Sequence, residues 1–75
     1  MTGWERSLCG TYETITAKGD VGQGLIATVR CAKSKQTIAT ATLSAVTLHV
    51  PSTKAIKDGV ALALVPYHTA LKGAN

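Results

Sequence analysis

The stretch Thr37-Ile38-Ala39-Thr40-Ala41-Thr42-Leu43-Ser44-Ala45-Val46-Thr47-Leu48-His49-Val50 carries the clearest periodic signal in the chain. Its period is two. Ala39, Ala41 and Leu43 share one parity, whereas Val46, Leu48 and Val50 share the other. Apolar and polar residues in alternation mark a half-buried strand. A change of parity inside such a run calls for a bulge or bend, here near Ser44-Ala45. Strands usually run about 5–6 residues, so the stretch predicts either one bent strand or two shorter ones, over 37–43 and 46–50.

The same period extends upstream. Leu25, Ala27, Val29 and Cys31 alternate with Thr28 and Arg30, which predicts a strand over 25–32 followed by a polar turn at 33–36. Residues 11–17, rich in Thr with Tyr12 and Ile15, predict another strand. Downstream, Val60-Ala61-Leu62-Ala63-Leu64-Val65 is apolar at every position. It reads as a strand over 60–65 covered on both faces or facing another subunit, with Pro66 ending its ladder. Residues 52–58 fit one helical turn stopped by Gly59. A faint echo links Val50-Pro51 and Val65-Pro66, each followed by Thr, Ala, an aliphatic residue, Lys and Gly, as two strand-plus-turn units. The expected fold is all-β: an antiparallel barrel or small sandwich of four to six strands with at most one short helical turn. It forms a single small domain over 1–75, of which 1–10 is an N-terminal arm.

Composition narrows the class. A chain of 75 residues holds one domain. At 45% hydrophobic and 16% charged it buries too much to remain a coil. No run of about 18 residues is free of polar side chains, so no membrane span and no membrane partner are expected. The apolar residues are small, with eleven Ala against seven Leu and four Ile, and no Phe. So thin a core calls for a disulfide, a metal or a partner surface. Cys9 and Cys31 are the candidate disulfide pair. The opening MTGWERSLCG has no apolar signal region, which favours reduced thiols in a cytoplasmic or virion-associated protein. The two Cys with His49 and His68 lack metal-ligand spacing, so neither metal nor cofactor is expected.

Catalysis finds no support. Glu5, Glu13, Asp20 and Asp58 form no sequence-adjacent acid/base pair, and neither His has an identifiable orienting group. Gly19-Asp20-Val21-Gly22-Gln23-Gly24 lacks the Gly-Lys-Ser/Thr ending of a phosphate loop and leads into a strand, so it reads as a hairpin connection. An enzyme is not expected.

Two function classes remain. The first is a structural or assembly subunit of coat, cement or filament type, such as viruses use. It would form a homo-oligomer or join a larger assembly through a flat apolar sheet face made of Ala61, Ala63 and Val65, while Val60, Leu62 and Leu64 fill the core. On this reading Ala63→Lys leaves the fold intact and weakens association. The alternative is a nucleic-acid-binding small β barrel. Arg6 and Lys18 against Glu5, Glu13 and Asp20 leave residues 1–20 at −1, whereas six cations against Asp58 leave 21–75 at +5. Arg30, Lys33 and Lys35 would form its basic rim, with Tyr12 as a stacking platform.

Overall fold

The period-two segments pair into one antiparallel sheet. In a computed structural model that describes residues 3–19 and 24–73, the strands are β1 (Glu5–Arg6), β2 (Tyr12–Lys18), β3 (Leu25–Cys31), β4 (Thr37–Ala41) and β5 (Val46–Leu48). Their spatial order is their sequence order, an up-and-down meander. The sheet does not close into a barrel. The parity change at Ser44-Ala45 is the turn between β4 and β5, where the Thr42 N–H donates to the Ala45 carbonyl at 2.9 Å. The register shift within the ladder lies elsewhere, where Val29 faces Ala39 and Arg30 faces Thr37, leaving Ile38 as the extra residue. The expected N-terminal arm contains β1, which pairs Glu5 with Thr14 and Arg6 with Glu13. Between β2 and β3 the Gly19 N–H donates to the Gly24 carbonyl at 2.7 Å. Residues 20–23 of the glycine-rich connection, Asp20 among them, lie outside the described residues.

Register assigns each side chain to a face. Thr14, Val29, Ala39 and Leu48 form one cross-strand row, and Thr16, Ala27, Ala41 and Val46 form the next. Ala27, Val29, Ala39 and Ala41 are wholly inaccessible. The opposite face carries Ile15, Thr28, Thr40 and Thr47 in one row and Arg6, Glu13, Arg30 and Thr37 in another.

What covers the alanine face corrects the all-β expectation. The chain ends in two helices, α1 (Lys54–Ala63) and α2 (Val65–Gly73), and 60–65 is not a strand. Thr53 caps α1 by accepting the Ile56 N–H at 3.2 Å. Gly59 does not stop it. Ile56, Gly59, Val60, Ala63, Leu64, Tyr67 and Leu71 recur mainly at spacings of three and four, and with Pro66 they are the buried and half-buried residues from Lys54 to Gly73. Continuous apolarity over 60–65 masks that stripe, because Ala61, Leu62 and Val65 lie outside it and are exposed. The break at Leu64 follows from Pro66, which has no N–H to donate to the Leu62 carbonyl and sits in the first turn of α2. The Val-Pro echo therefore marks two helix starts rather than two strand-plus-turn units. Among the described residues no helix is long and apolar enough to cross a membrane.

Close approach sets the helix position. A Cβ on Gly59 would overlap the Tyr12 ring, so this glycine is needed for contact and not for backbone freedom. A buried bond from the Thr14 hydroxyl to the Ala63 carbonyl, 2.6 Å long, ties the end of α1 to β2. Tyr67 is 1% exposed, and its phenol donates to the Leu25 carbonyl at 3.2 Å.

Gly59→Ala tests the contact. Helix propensity alone would favour Ala by about 0.8–1.0 kcal/mol, whereas overpacking costs about 1–3 kcal/mol. The variant is expected to melt below the wild type, and Tyr12→Leu in the same chain to recover part of the loss. The Ala63→Lys expectation is also reversed. Ala63 is 1% exposed, so a lysine there places an unpaired charge in the core, and loss of the cooperative melt is expected.

Candidate functional site

At the β5 end of the sheet the helices leave an edge uncovered. In an antiparallel ladder, residues alternate between pointing their backbone groups at one neighbour and at the other. The Thr42 N–H bonds to the Ala45 carbonyl and the His49 N–H to the Ile38 carbonyl, so Ala45, Thr47 and His49 face β4. The N–H and C=O groups of Val46 and Leu48 therefore point out of the sheet, and among the described residues β5 pairs with β4 alone. The side chains of the same two residues lie on the helix side. There they form a groove of about 330 Å³ with Val60, Ala61 and Leu64, whose polar lining is Lys57 and His68. The groove exists because α1 packs chiefly on β2, at the far side of the alanine face.

The other sheet edge is built differently. β1 is two residues long and both are charged. A second hollow of about 370 Å³ opens beside it, between Trp4, Thr16, Pro66 and Ala70.

The uncovered sheet face holds a charge cluster. Glu13 is buried and accepts from Arg30 Nε at 3.0 Å and Lys35 Nζ at 3.1 Å, with Arg6 Nη2 at 3.8 Å. The Trp4 ring lies against the Arg30 guanidinium, 3.6 Å from carbon to centroid. Lys35 reaches Glu13 from a left-handed turn position, φ 63°. Its ammonium, and then Arg30, hold the Glu13 carboxyl below the usual carboxylate range against the burial that pushes it up.

Each residue singled out from the sequence can now be placed. Arg30 and Lys35 are engaged with Glu13, and Lys33 is exposed on the adjoining turn. Tyr12 is on the opposite face, beneath α1, so it is not a platform beside those cations. Ala61, Ala63 and Val65 do not share a face, because residues two apart on a helix diverge by about 200°. Ala63 is buried, Ala61 lines the groove and Val65 is 47% exposed. The flat sheet face proposed for self-association disappears with its strand. Cys9 is exposed, Cys31 is half-buried, and both are free thiols. The Ser7 hydroxyl holds the Cys9 thiol below its ordinary value, and the Ser34 hydroxyl does the same for Cys31. His49 shares a 2.9 Å hydrogen bond with the Thr40 hydroxyl. Among the described residues no three His, Cys, Asp or Glu side chains gather as a metal site.

The sequence reading missed Val46 and Leu48 as edge residues and Trp4 and Glu13 as partners of Arg30. The Glu13–Arg30 pair is legible once the β2–β3 register is known, since the two residues face each other. A scan against protein-family models and searches of curated proteins and of solved structures find no match to this chain.

The Glu13 cluster predicts an acid limb of stability. A carboxyl whose value is depressed by folding stabilises the fold above its unfolded value of about 4.3, and that contribution is lost as pH falls through the folded value. Glu13→Gln should melt below the wild type at about pH 7, and the two melting curves should converge in acid as Glu13 itself is protonated.

Proposed function

We propose that this chain is a non-enzymatic assembly subunit that joins other protein by strand addition at the edge of β5. The observation that carries this reading is the double exposure of Val46 and Leu48. At one edge they offer backbone donors and acceptors unanswered among the described residues, and their side chains floor an apolar groove. Sheet edges are ordinarily guarded by charge, proline or a cover. β1 is guarded by Glu5 and Arg6 as well as by its length, whereas the three residues Val46-Thr47-Leu48 carry neither charge nor proline and are guarded by shortness alone. Val46 is 50% exposed, and Leu62 and Val65 add apolar surface on the helices at 38% and 47%. Scattered apolar residues on a surface are ordinary; here one of them coincides with free backbone groups beside a groove. Repeated edge contacts of this kind supply stability to subunits in coats, cements and filaments, where a small core would otherwise leave the fold marginal.

The nucleic-acid reading has less support. Its stacking residue Tyr12 lies under a helix, and two of its cations surround a carboxylate that would repel a phosphate backbone.

A capped neutral Thr-Val-Thr-Leu-Thr peptide at about millimolar concentration tests the reading by NMR. Addition to the edge should shift and protect the Val46 and Leu48 amides and leave the Glu5 and Arg6 amides unchanged. Val46→Lys should abolish the effect without lowering the melting temperature. Leu8→Lys, at a side chain 86% exposed in the first turn, should retain it. Absence of any strand docking at β5, whether by peptide or by a second copy in concentrated solution, would sink the proposal.

A further inference from the structure

The groove beside β5 is chemically one-sided. Its floor is aliphatic, from Val46, Leu48, Val60 and Leu64, and its two polar residues are Lys57 and His68. Among the described residues no carboxylate lines it. The only carboxylate on α1, Asp58, is held by Lys54 at 2.8 Å. The Lys57 ammonium has no ion-pair partner among the described residues, so its charge is available to an occupant. Two β5 edges from two copies would meet without an opposing charge, since each would bring Lys57 and none would bring an acid. The chain as a whole carries +4. The groove's charge therefore disfavours a second copy and favours an acidic partner.

Resting on the assembly reading above, we infer that β5 receives an extended segment of another protein with apolar residues at alternating positions and a carboxylate on the same face. Its backbone adds to Val46 and Leu48 as a sixth strand. Its apolar side chains enter the groove, because alternate residues of an added strand face the helices. The carboxylate lies one same-face position beyond the apolar pair, within reach of Lys57 and His68. Residues on the other face of the segment look toward Thr47 and His49, where the exposed surface tolerates small polar groups.

The test compares two peptides that differ only in charge, Glu-Thr-Val-Thr-Leu-Thr-Glu and Lys-Thr-Val-Thr-Leu-Thr-Lys, by titration against the full chain at low and high salt. The acidic peptide should bind at least about fivefold more tightly at low salt, with the margin shrinking as salt screens the contact. Lys57→Glu should reverse the preference, and because Lys57 is exposed the fold should stand. Equal binding of both peptides would overturn the acidic assignment and leave strand addition intact. Self-association through β5 with no preference for the acidic peptide would do the same. If neither peptide binds and the chain stays monomeric, both the inference and the assembly reading fail.

Discussion

The structure depends on how closely a helix can approach a sheet face made largely of methyl groups. Ala27, Ala39 and Ala41 leave that face shallow, with Val29 as its one larger fully buried side chain. A shallow floor excludes water only if the layer above comes down to meet it and brings its own volume. Tyr67 supplies that volume from α2 and secures its phenol on the Leu25 carbonyl. Gly59 supplies the proximity, since the Tyr12 ring occupies the space a side chain would need. The Thr14–Ala63 hydrogen bond holds the helix end in the position these contacts require.

This anchoring fixes where the molecule is left open. The helices are held toward β2, so among the described residues the face of the sheet near β5 lacks a full cover and the edge of β5 lacks a neighbour. The groove is thus a consequence of core geometry. On the opposite face the Glu13 cluster draws Arg6, Arg30 and Lys35 inward around one carboxylate and brings Trp4 onto Arg30. Cations that look like a free rim in the sequence are in large part committed to the fold. Lys57, on α1 at the groove, has no ion-pair partner among the described residues.

Period-two alternation is sufficient to locate β3, β4 and β5, and β-prone composition locates β2, because nothing in those segments competes. The span 60–65 misled for the opposite reason. A run apolar at every position satisfies both periods, and the deciding stripe from Ile56 to Leu71 extends well beyond it. Of the groove residues, the sequence assigns Ala61 to a self-association face that does not exist, and Val60 and Leu64 to the core. Val46 and Leu48 read as strand residues, which they are, Val46 exposed and Leu48 half-buried. Their place at an open edge depends on strand order, which alternation does not encode.

Legible from the amino acids alone are the segments of β2 to β5, a break near Ser44-Ala45, the thinness of the core and the uneven charge. Each is local or additive, a matter of propensity, parity or count. The packed chain alone decides that the C-terminal apolar run is helical, that Arg30 and Lys35 close on Glu13, and that β5 is a sheet edge without charge or proline beside a groove. Those outcomes depend on which distant surfaces meet. Ala63 on Thr14 joins residues 49 positions apart, and Tyr67 on Leu25 joins residues 42 apart. Contacts over such separations are selected by the packing of the whole chain, because burying the alanine face outweighs the local preference of any one segment.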